Sequence, residues 1–408
     1  MPAYNETRAN QRAGLERARL HNHLRTATSA KTEISPRPWT AESTTAEDCT
    51  FQQLAPYIGR MKTSIAQTLI SRYTLPGYLL LDPFAGSGVI PFEAALLGRD
   101  VVACDTNPYG VVLMRAKFGA PVSLDDALDR FNRRWEASQH RLASQDLRSV
   151  PAWVRRFFHA DTLRPALALR DELVHRRDYF LLACLLGILH HQRPGFLSYP
   201  ASHLVPYLRD RLFPRSRFRS MYEPRDVRLR MEAKIKRTFR RPPAMLGTAD
   251  IRRADARRVR LAETFDAIIT SPPYMNELDY VRDNRLRLWV LGRDLPAVED
   301  IPRGQREALF RALLTRTFKH LLPRLALGAP IVLVVGDTRR GGRRTDSASV
   351  VKEIFKTDVF NGVVLESEYQ DRIPDIRRSR RDLSGTKRET VLVYRVAQEP
   401  GANAQTAS

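Results

Sequence analysis

The chain has 408 residues, 43% of them hydrophobic, which is enough to bury one large core or two smaller ones and excludes a chain that is disordered as a whole. Its 67 basic against 45 acidic residues leave a net charge of +22, and arginine greatly outnumbers lysine, a balance that suits a polyanionic partner, with nucleic acid as the leading candidate. Cys49, Cys104 and Cys184 are too scattered for a disulfide framework or a metal knuckle, and neither a secretion signal nor a membrane-length apolar run is visible, so the expected setting is cytoplasmic.

Residues 1–48 are polar and rich in arginine, threonine and alanine, and read as a mobile basic arm. An amphipathic helix follows over Ile65 to Tyr73 and stops at Pro76-Gly77. Leu79-Leu80-Leu81 then forms a buried strand that ends in Asp82-Pro83-Phe84-Ala85-Gly86-Ser87-Gly88, and Val89 to Leu97 returns to helical spacing. Strand, glycine turn and helix in that order build a backbone cradle beside free helix-start N–H groups, the usual place for a nucleotide-like ligand. A second strand, Asp100 to Cys104, ends in Asp105, which is placed either to accept hydrogen bonds from ribose hydroxyls or to cap the helix behind Thr106-Asn107-Pro108.

From about Ala120 to Pro243 amphipathic, arginine-rich helices dominate, at Leu124 to Trp135, Leu163 to Arg177 and Tyr179 to Leu189. That length requires a structured insertion rather than a loop. Its second half alternates arginines with Phe213, Phe218, Tyr222 and Phe239, as surfaces that track nucleic acid do. His190, His191 and His203 lack acidic or cysteine partners at ligand spacing and read as packing or helix-end residues.

The sheet pattern resumes at Ala249, and Asp255 with Ala256 lies just past that strand, either as a turn or as a contact for an exocyclic amine of an adenine. Phe265 to Thr270 is a buried strand that runs into Ser271-Pro272-Pro273-Tyr274. Two prolines remove two backbone donors, so the Ser271 hydroxyl and Pro272 carbonyl are free to accept hydrogen bonds from a ligand amine, with Tyr274 as a flat surface beside them. A helix over Leu278 to Trp289 has a basic face, on which Asp279, Tyr280, Arg282 and Arg285 are candidates for nucleic-acid contact. Gln305 to Leu322 is another helix and Pro330 to Asp337 a fifth strand; Val359 to Glu366 and Thr390 to Tyr394 form an antiparallel edge, and residues 398–408 a loose tail.

Together these motifs resemble the S-adenosylmethionine-dependent DNA methyltransferases that modify exocyclic amines, over Tyr57 to Tyr109 and Ala249 to about Tyr394. The resemblance implies an α/β, Rossmann-like class I methyltransferase fold: a mostly parallel seven-stranded sheet with an antiparallel edge hairpin and a largely helical insertion. Its units would be residues 49–119 (cofactor half), 120–245 (insertion, target recognition) and 246–397 (catalytic half). It assigns cofactor contact to Lys62, Asp82, Pro83, Phe84, Ala85, Gly86, Gly88, Asp105, Thr106, Asp255 and Ala256, although the Lys-Pro pair common beside Lys62 is absent. Catalysis falls to Ser271, Pro272, Pro273 and Tyr274, with no metal. A serine in the first position of that tetrapeptide is usual for cytosine N-4 enzymes, where Asp or Asn is commoner for adenine N-6 enzymes. The expected activity is therefore methylation of the cytosine N-4 amine in a flipped base of DNA, with adenine N-6 of DNA or an amine of tRNA as alternatives. A partner restriction or defence system is left open.

Overall fold

The computed structural model describes residues 34–35, 49–57, 59–191, 195–202, 206–274, 280–292, 303–340, 343–373 and 387–397. Seven strands form the sheet: β1 (Leu79–Asp82), β2 (Asp100–Asp105), β3 (Ala249–Arg253), β4 (Ala267–Thr270), β5 (Pro330–Gly336), β6 (Val363–Ile373) and β7 (Lys387–Val396). Their spatial order is β6-β7-β5-β4-β1-β2-β3, parallel throughout except for β7, which is antiparallel to both neighbours. An eighth piece was not expected: Ile34–Ser35, within the arm read as mobile, pairs in parallel with β6 at Glu368 and Tyr369. An edge strand offers unpaired backbone groups that even a polar segment can satisfy, a pairing without side-chain periodicity to announce it.

Side-chain alternation divides the sheet into two faces. Leu80, Val101, Ala103, Ile269, Val332 and Val334 point to one face and pack against α1 (Thr63–Tyr73), α2 (Val89–Leu96) and α3 (Pro108–Phe118). Leu81, Val102, Ile268, Ile331 and Leu333 point to the other, beneath α8 (Arg303–Leu321) and α9 (Ser347–Phe355). β6 starts four residues later than expected because Asp358–Phe360 forms a 3-10 turn with Phe360 buried in the core, and Gly362 at φ 89° releases the chain into the strand.

The insertion carries α4 (Leu124–Gln139), α5 (Ala160–His175), α6 (Tyr179–Ile188) and α7 (Val227–Thr238) around a third core. This core is shared. Phe92 and Leu113 enter from α2 and α3, and Leu286, Leu288 and Val290 enter from the chain beyond Tyr274. The Thr50–Gln53 turn is tied to α7, with Thr50 N donating to Arg241 O at 3.2 Å and Lys234 Nζ to Gln53 O at 2.9 Å. Gly187 of α6 permits the approach of residue 54, since a Cβ there would lie 2.2 Å from Leu54 O. The single helix expected over Leu278 to Trp289 is instead two short ones, Tyr280–Asp283 and Arg285–Val290, broken at Asn284. Among the described residues, no helix is long and apolar enough to cross a membrane.

The aromatic side chains of the basic stretch are engaged within the protein. Phe239 meets Phe51 and Phe180 edge-on, Phe213 meets Phe218, and Arg215 lies over the rings of Tyr199 and Tyr222, at 5.1 and 4.8 Å. His190 is fully buried beside Arg287, and His203 lies outside the described residues.

Candidate active site

The carboxyl ends of β1, β2, β4 and β5 converge, and the motif residues meet there. After Asp82 the chain turns through Gly86 at φ 54° and Gly88 at φ 74°, left-handed conformations that favour glycine. Asp105 fastens this turn to the next strand: its Oδ2 accepts Gly86 N at 2.7 Å and its Oδ1 accepts Asn107 N at 2.7 Å. The N-cap role one reading gave to Asp105 belongs to Asn107, whose Oδ1 accepts Tyr109 N at 3.0 Å. A carboxylate has about four lone-pair sites. Asp105 thus holds the turn and keeps accepting capacity for ligand hydroxyls, while the adjacent Thr106 is exposed.

Asp82 joins the two motifs. It is buried, and its Oδ1 accepts Thr270 Oγ1 at 2.7 Å and Phe84 N at 3.2 Å, so the glycine turn is tied directly to the residue before Ser271. Burial pushes the Asp82 carboxyl up to about 7, against the lowering effect of those two hydrogen bonds and with some help from Asp105. Burial also raises Asp105.

Ser271 Oγ donates to Val334 O at 2.9 Å. With its one proton engaged, the hydroxyl presents only lone pairs elsewhere. Pro272 is buried and Pro273 half-buried beside it, and neither has an N–H to offer. Tyr274 differs from the open surface expected. It is 7% exposed, its hydroxyl donates to Glu389 Oε1 at 2.8 Å, and its ring lies against Gly336, where a Cβ would come within 2.7 Å of Cζ. Glu389 and Gly336 are register partners on β7 and β5, so the two adjacent strands together clamp the phenol.

Three expected residues are directed elsewhere. Lys62 pairs with the buried Asp371 of β6 at 3.4 Å, at the hairpin side of the sheet rather than at the glycine turn. Ala254 N donates to Asp105 O, so the turn after β3 does flank the site. The Asp255 carboxylate, however, is gripped by Arg257, with Nη2 to Oδ2 at 2.6 Å and Nε to Oδ1 at 3.0 Å, and that pairing lowers its pKa. Ala256 is buried. Arg285 lies 4.0 Å over the ring of Trp153 in the helical insertion, and Arg282 is exposed. Of Tyr280 only the backbone is described, and Asp279 lies outside the described residues.

Tertiary structure adds residues that no motif signalled. Lys117, near the end of α3, is buried with its Nζ donating to Ser87 O at 2.8 Å, Gly88 O at 3.3 Å and Gln52 Oε1 at 2.6 Å. Burial pulls its pKa down to about 7. Gln52 and Gln67 in turn donate to the two oxygens of Glu93, at 2.6 and 2.8 Å. Tyr57 covers Gly86 and stacks on Tyr109 with ring centroids 5.7 Å apart. Gly110 lets α3 begin against the turn, since a Cβ there would lie 2.4 Å from Gly86 O. Its position in the first turn of the helix after β2 is the one sequence cue that could have found it.

This strand order, with a glycine turn after β1, an acid at the tip of β2 and a Ser-Pro-Pro-Tyr turn after β4, defines the class I architecture of S-adenosylmethionine-dependent methyltransferases. The sequence agrees: residues 54–147 match the family described as RMKL-like, methyltransferase domain. Solved structures that resemble the protein include TrmN from Thermus thermophilus (14% identity, 85% of this chain and 52% of that one, TM-score 0.33). Others are a SAM-dependent methyltransferase from Methanosarcina mazei (8%, 80% and 96%, 0.34) and an rRNA methylase from Streptococcus thermophilus (8%, 83% and 98%, 0.31). The chain thus aligns with only about half of TrmN's length, and such distant likenesses add nothing to the fold read from the strand order. No curated protein matches the sequence.

The site's residues fit the cofactor. S-adenosylmethionine is cationic at its sulfonium and ammonium groups, and burial raises the pKa of both Asp82 and Asp105, an effect that a cationic ligand beside them would offset. The turn is half-buried at Gly86 rather than sealed, and Asp105 beside it can receive ribose hydroxyls.

Proposed function

We propose that this protein is an S-adenosylmethionine-dependent methyltransferase that acts on an exocyclic amine of a base in a nucleic acid. The observation that supports the reading is the Ser271 hydroxyl, whose proton is committed to Val334 O so that only its lone pairs remain to interact with a ligand. With the Pro272 carbonyl it forms a pair of acceptors for the two hydrogens of an NH2 group. The lone pair of such an amine is delocalised into the ring, and hydrogen bonds to both hydrogens draw it back onto nitrogen. S-adenosylmethionine supplies the electrophilic methyl group. Ser271 and Pro272 orient the amine, the Asp82–Thr270 bond fixes that turn against the glycine turn, and alignment provides the rate advantage. One amine proton passes to solvent as the N–C bond forms and the methyl–sulfur bond breaks, and no covalent enzyme intermediate is required. Tyr274 closes the cleft on the β5 side. In duplex DNA the base must first leave the stack.

The charge of +22 supports a polyanionic substrate. Cytosine N-4 of DNA, favoured by the serine at 271, and a base amine of structured RNA are both compatible with this turn, and neither the family match nor the geometry prefers DNA. The test is to incubate the protein with labelled cofactor and, separately, duplex DNA and tRNA, then hydrolyse to nucleosides. Label on an amine nitrogen supports the reading, and the polymer that carries it names the substrate. Label at cytosine carbon 5 or at a ribose 2′-oxygen would overturn it.

A further inference from the structure

On the face of the sheet covered by α8, a cavity of about 520 Å³ opens between the turn after β3 and the last turns of that helix. Its walls are Asp255, Arg257 and Arg258 on the turn and Arg316, Lys319 and His320 on the helix. Four permanent cations against one carboxylate leave an excess of three positive charges with His320 neutral. Asp255 is already engaged by Arg257 in a two-toothed pair, and Arg258 reaches it only at 3.9 Å. Arg316 and Lys319, both exposed, have no carboxylate within ion-pair distance among the described residues. They lie three residues apart on one helical face, where like charges repel. His320 is fixed in the wall by a 2.7 Å hydrogen bond to Val259 O.

Helix polarity explains only part of this. Cations in a last helical turn are favoured by the macrodipole, which accounts for Lys319 and His320. It does not account for Arg316 one turn earlier, nor for Arg257 and Arg258 facing it from a different element. The cofactor does not suit the cavity either, because a ligand that is itself cationic gains nothing from three excess positive charges.

We propose that this cavity binds a backbone phosphate of the nucleic-acid substrate, outside the methyl-transfer cleft, through Arg258, Arg316 and Lys319. This rests on the reading of the substrate given above. Guanidinium and ammonium groups spaced around a concave wall match a phosphodiester, and the turn that carries Arg257 and Arg258 begins where Ala254 N meets Asp105 O. A phosphate held here would anchor the substrate strand beside the cofactor end of the site.

The test compares wild-type protein with the double variant Arg316→Gln/Lys319→Gln for binding to labelled duplex DNA and tRNA across a salt series. A control, Arg324→Gln/Lys356→Gln, removes two exposed charges at the amino ends of the strands. We expect the double variant to lose about tenfold in affinity at moderate salt. Its log–log salt slope should shrink by about 0.7 to 0.9 per phosphate released, and the polymer that shows the loss identifies the source. Calorimetric cofactor binding and the control variant should be unchanged. Equal slopes for wild type and double variant, or an equal loss in the control, would overturn the cavity's role and leave the methyltransferase reading intact. Inorganic pyrophosphate that binds wild type but not the double variant, with the polymer slopes unaltered, would also overturn it by pointing to a free phosphorylated ligand. Absence of any nucleic-acid binding by wild type would remove both proposals together.

Discussion

Gly336→Ala tests the clamp on Tyr274. The added methyl would lie 2.7, 2.8 and 3.0 Å from three ring carbons, whereas carbon pairs pack best at about 3.5 to 4.0 Å. Something must retreat by roughly 0.7 Å. The strand resists, because Gly336 is paired with Glu389 across β5 and β7, and the ring is held by its hydroxyl bond to the same Glu389. Overpacking of this kind costs about 1 to 3 kcal/mol, and loss of the 2.8 Å hydrogen bond adds about 1. Chemical denaturation should therefore show a loss of about 2 to 4 kcal/mol, and methyl transfer should fall by up to about 100-fold as the turn shifts, with cofactor affinity nearly unchanged. In a Tyr274→Ala background the clash has no partner. There Gly336→Ala should be neutral or slightly stabilising, since alanine suits a strand interior better than glycine by roughly 0.5 to 1 kcal/mol. The same stability cost in both backgrounds would refute the clamp.

Asp82 sets a pH dependence. Its folded-state pKa of about 7 lies above its ordinary 3.8, so the folded protein binds the extra proton; the stability this group contributes is complete below pH 3.8 and is lost as pH rises through 7. The difference corresponds to about 4 kcal/mol, and Asp82→Asn should gain on wild type steadily between about pH 4 and 7 and level off above that in denaturation experiments, a parallel profile counting against it. Lys117→Met leaves Ser87 O, Gly88 O and Gln52 Oε1 without their ammonium donor, so the glycine turn should loosen and cofactor affinity drop about tenfold by calorimetry, with nucleic-acid affinity retained. An unchanged cofactor affinity would show that Lys117 does not position the turn. Tyr274→Ala should impair turnover on the nucleic acid far more than cofactor binding, and equal losses in both would contradict its place on the substrate side.

What could be read without coordinates was whatever depends on neighbours along the chain. The apolar run into Asp82 and two left-handed glycines, and the apolar run into two prolines, are local backbone statements, and both appear where the sequence placed them. The mostly parallel sheet with an antiparallel edge, which the resemblance to known methyltransferases implies, is the one observed. Local signals misled where long-range partners decide. Asp255 looked like a ligand acid, yet a bidentate grip by Arg257 claims it; Lys62 looked like a cofactor lysine, yet Asp371, 309 residues away, takes it. Tyr274 looked like an open ring because Gly336 and Glu389, its clamp, lie far along the chain.

The reverse holds for Lys117, Gln52, Glu93 and Tyr57, which belong to no motif and acquire meaning only when α3, α2 and the segment before α1 close around the glycine turn. The sequence by itself determined the order of elements and the two turns that face each other, because backbone conformation and hydrophobic alternation are short-range properties. Tertiary structure alone decided which polar groups are engaged and which remain available to a substrate. A charge or hydroxyl has no fixed role until burial removes its water and a neighbour takes its hydrogen bond, as Val334 O does for Ser271.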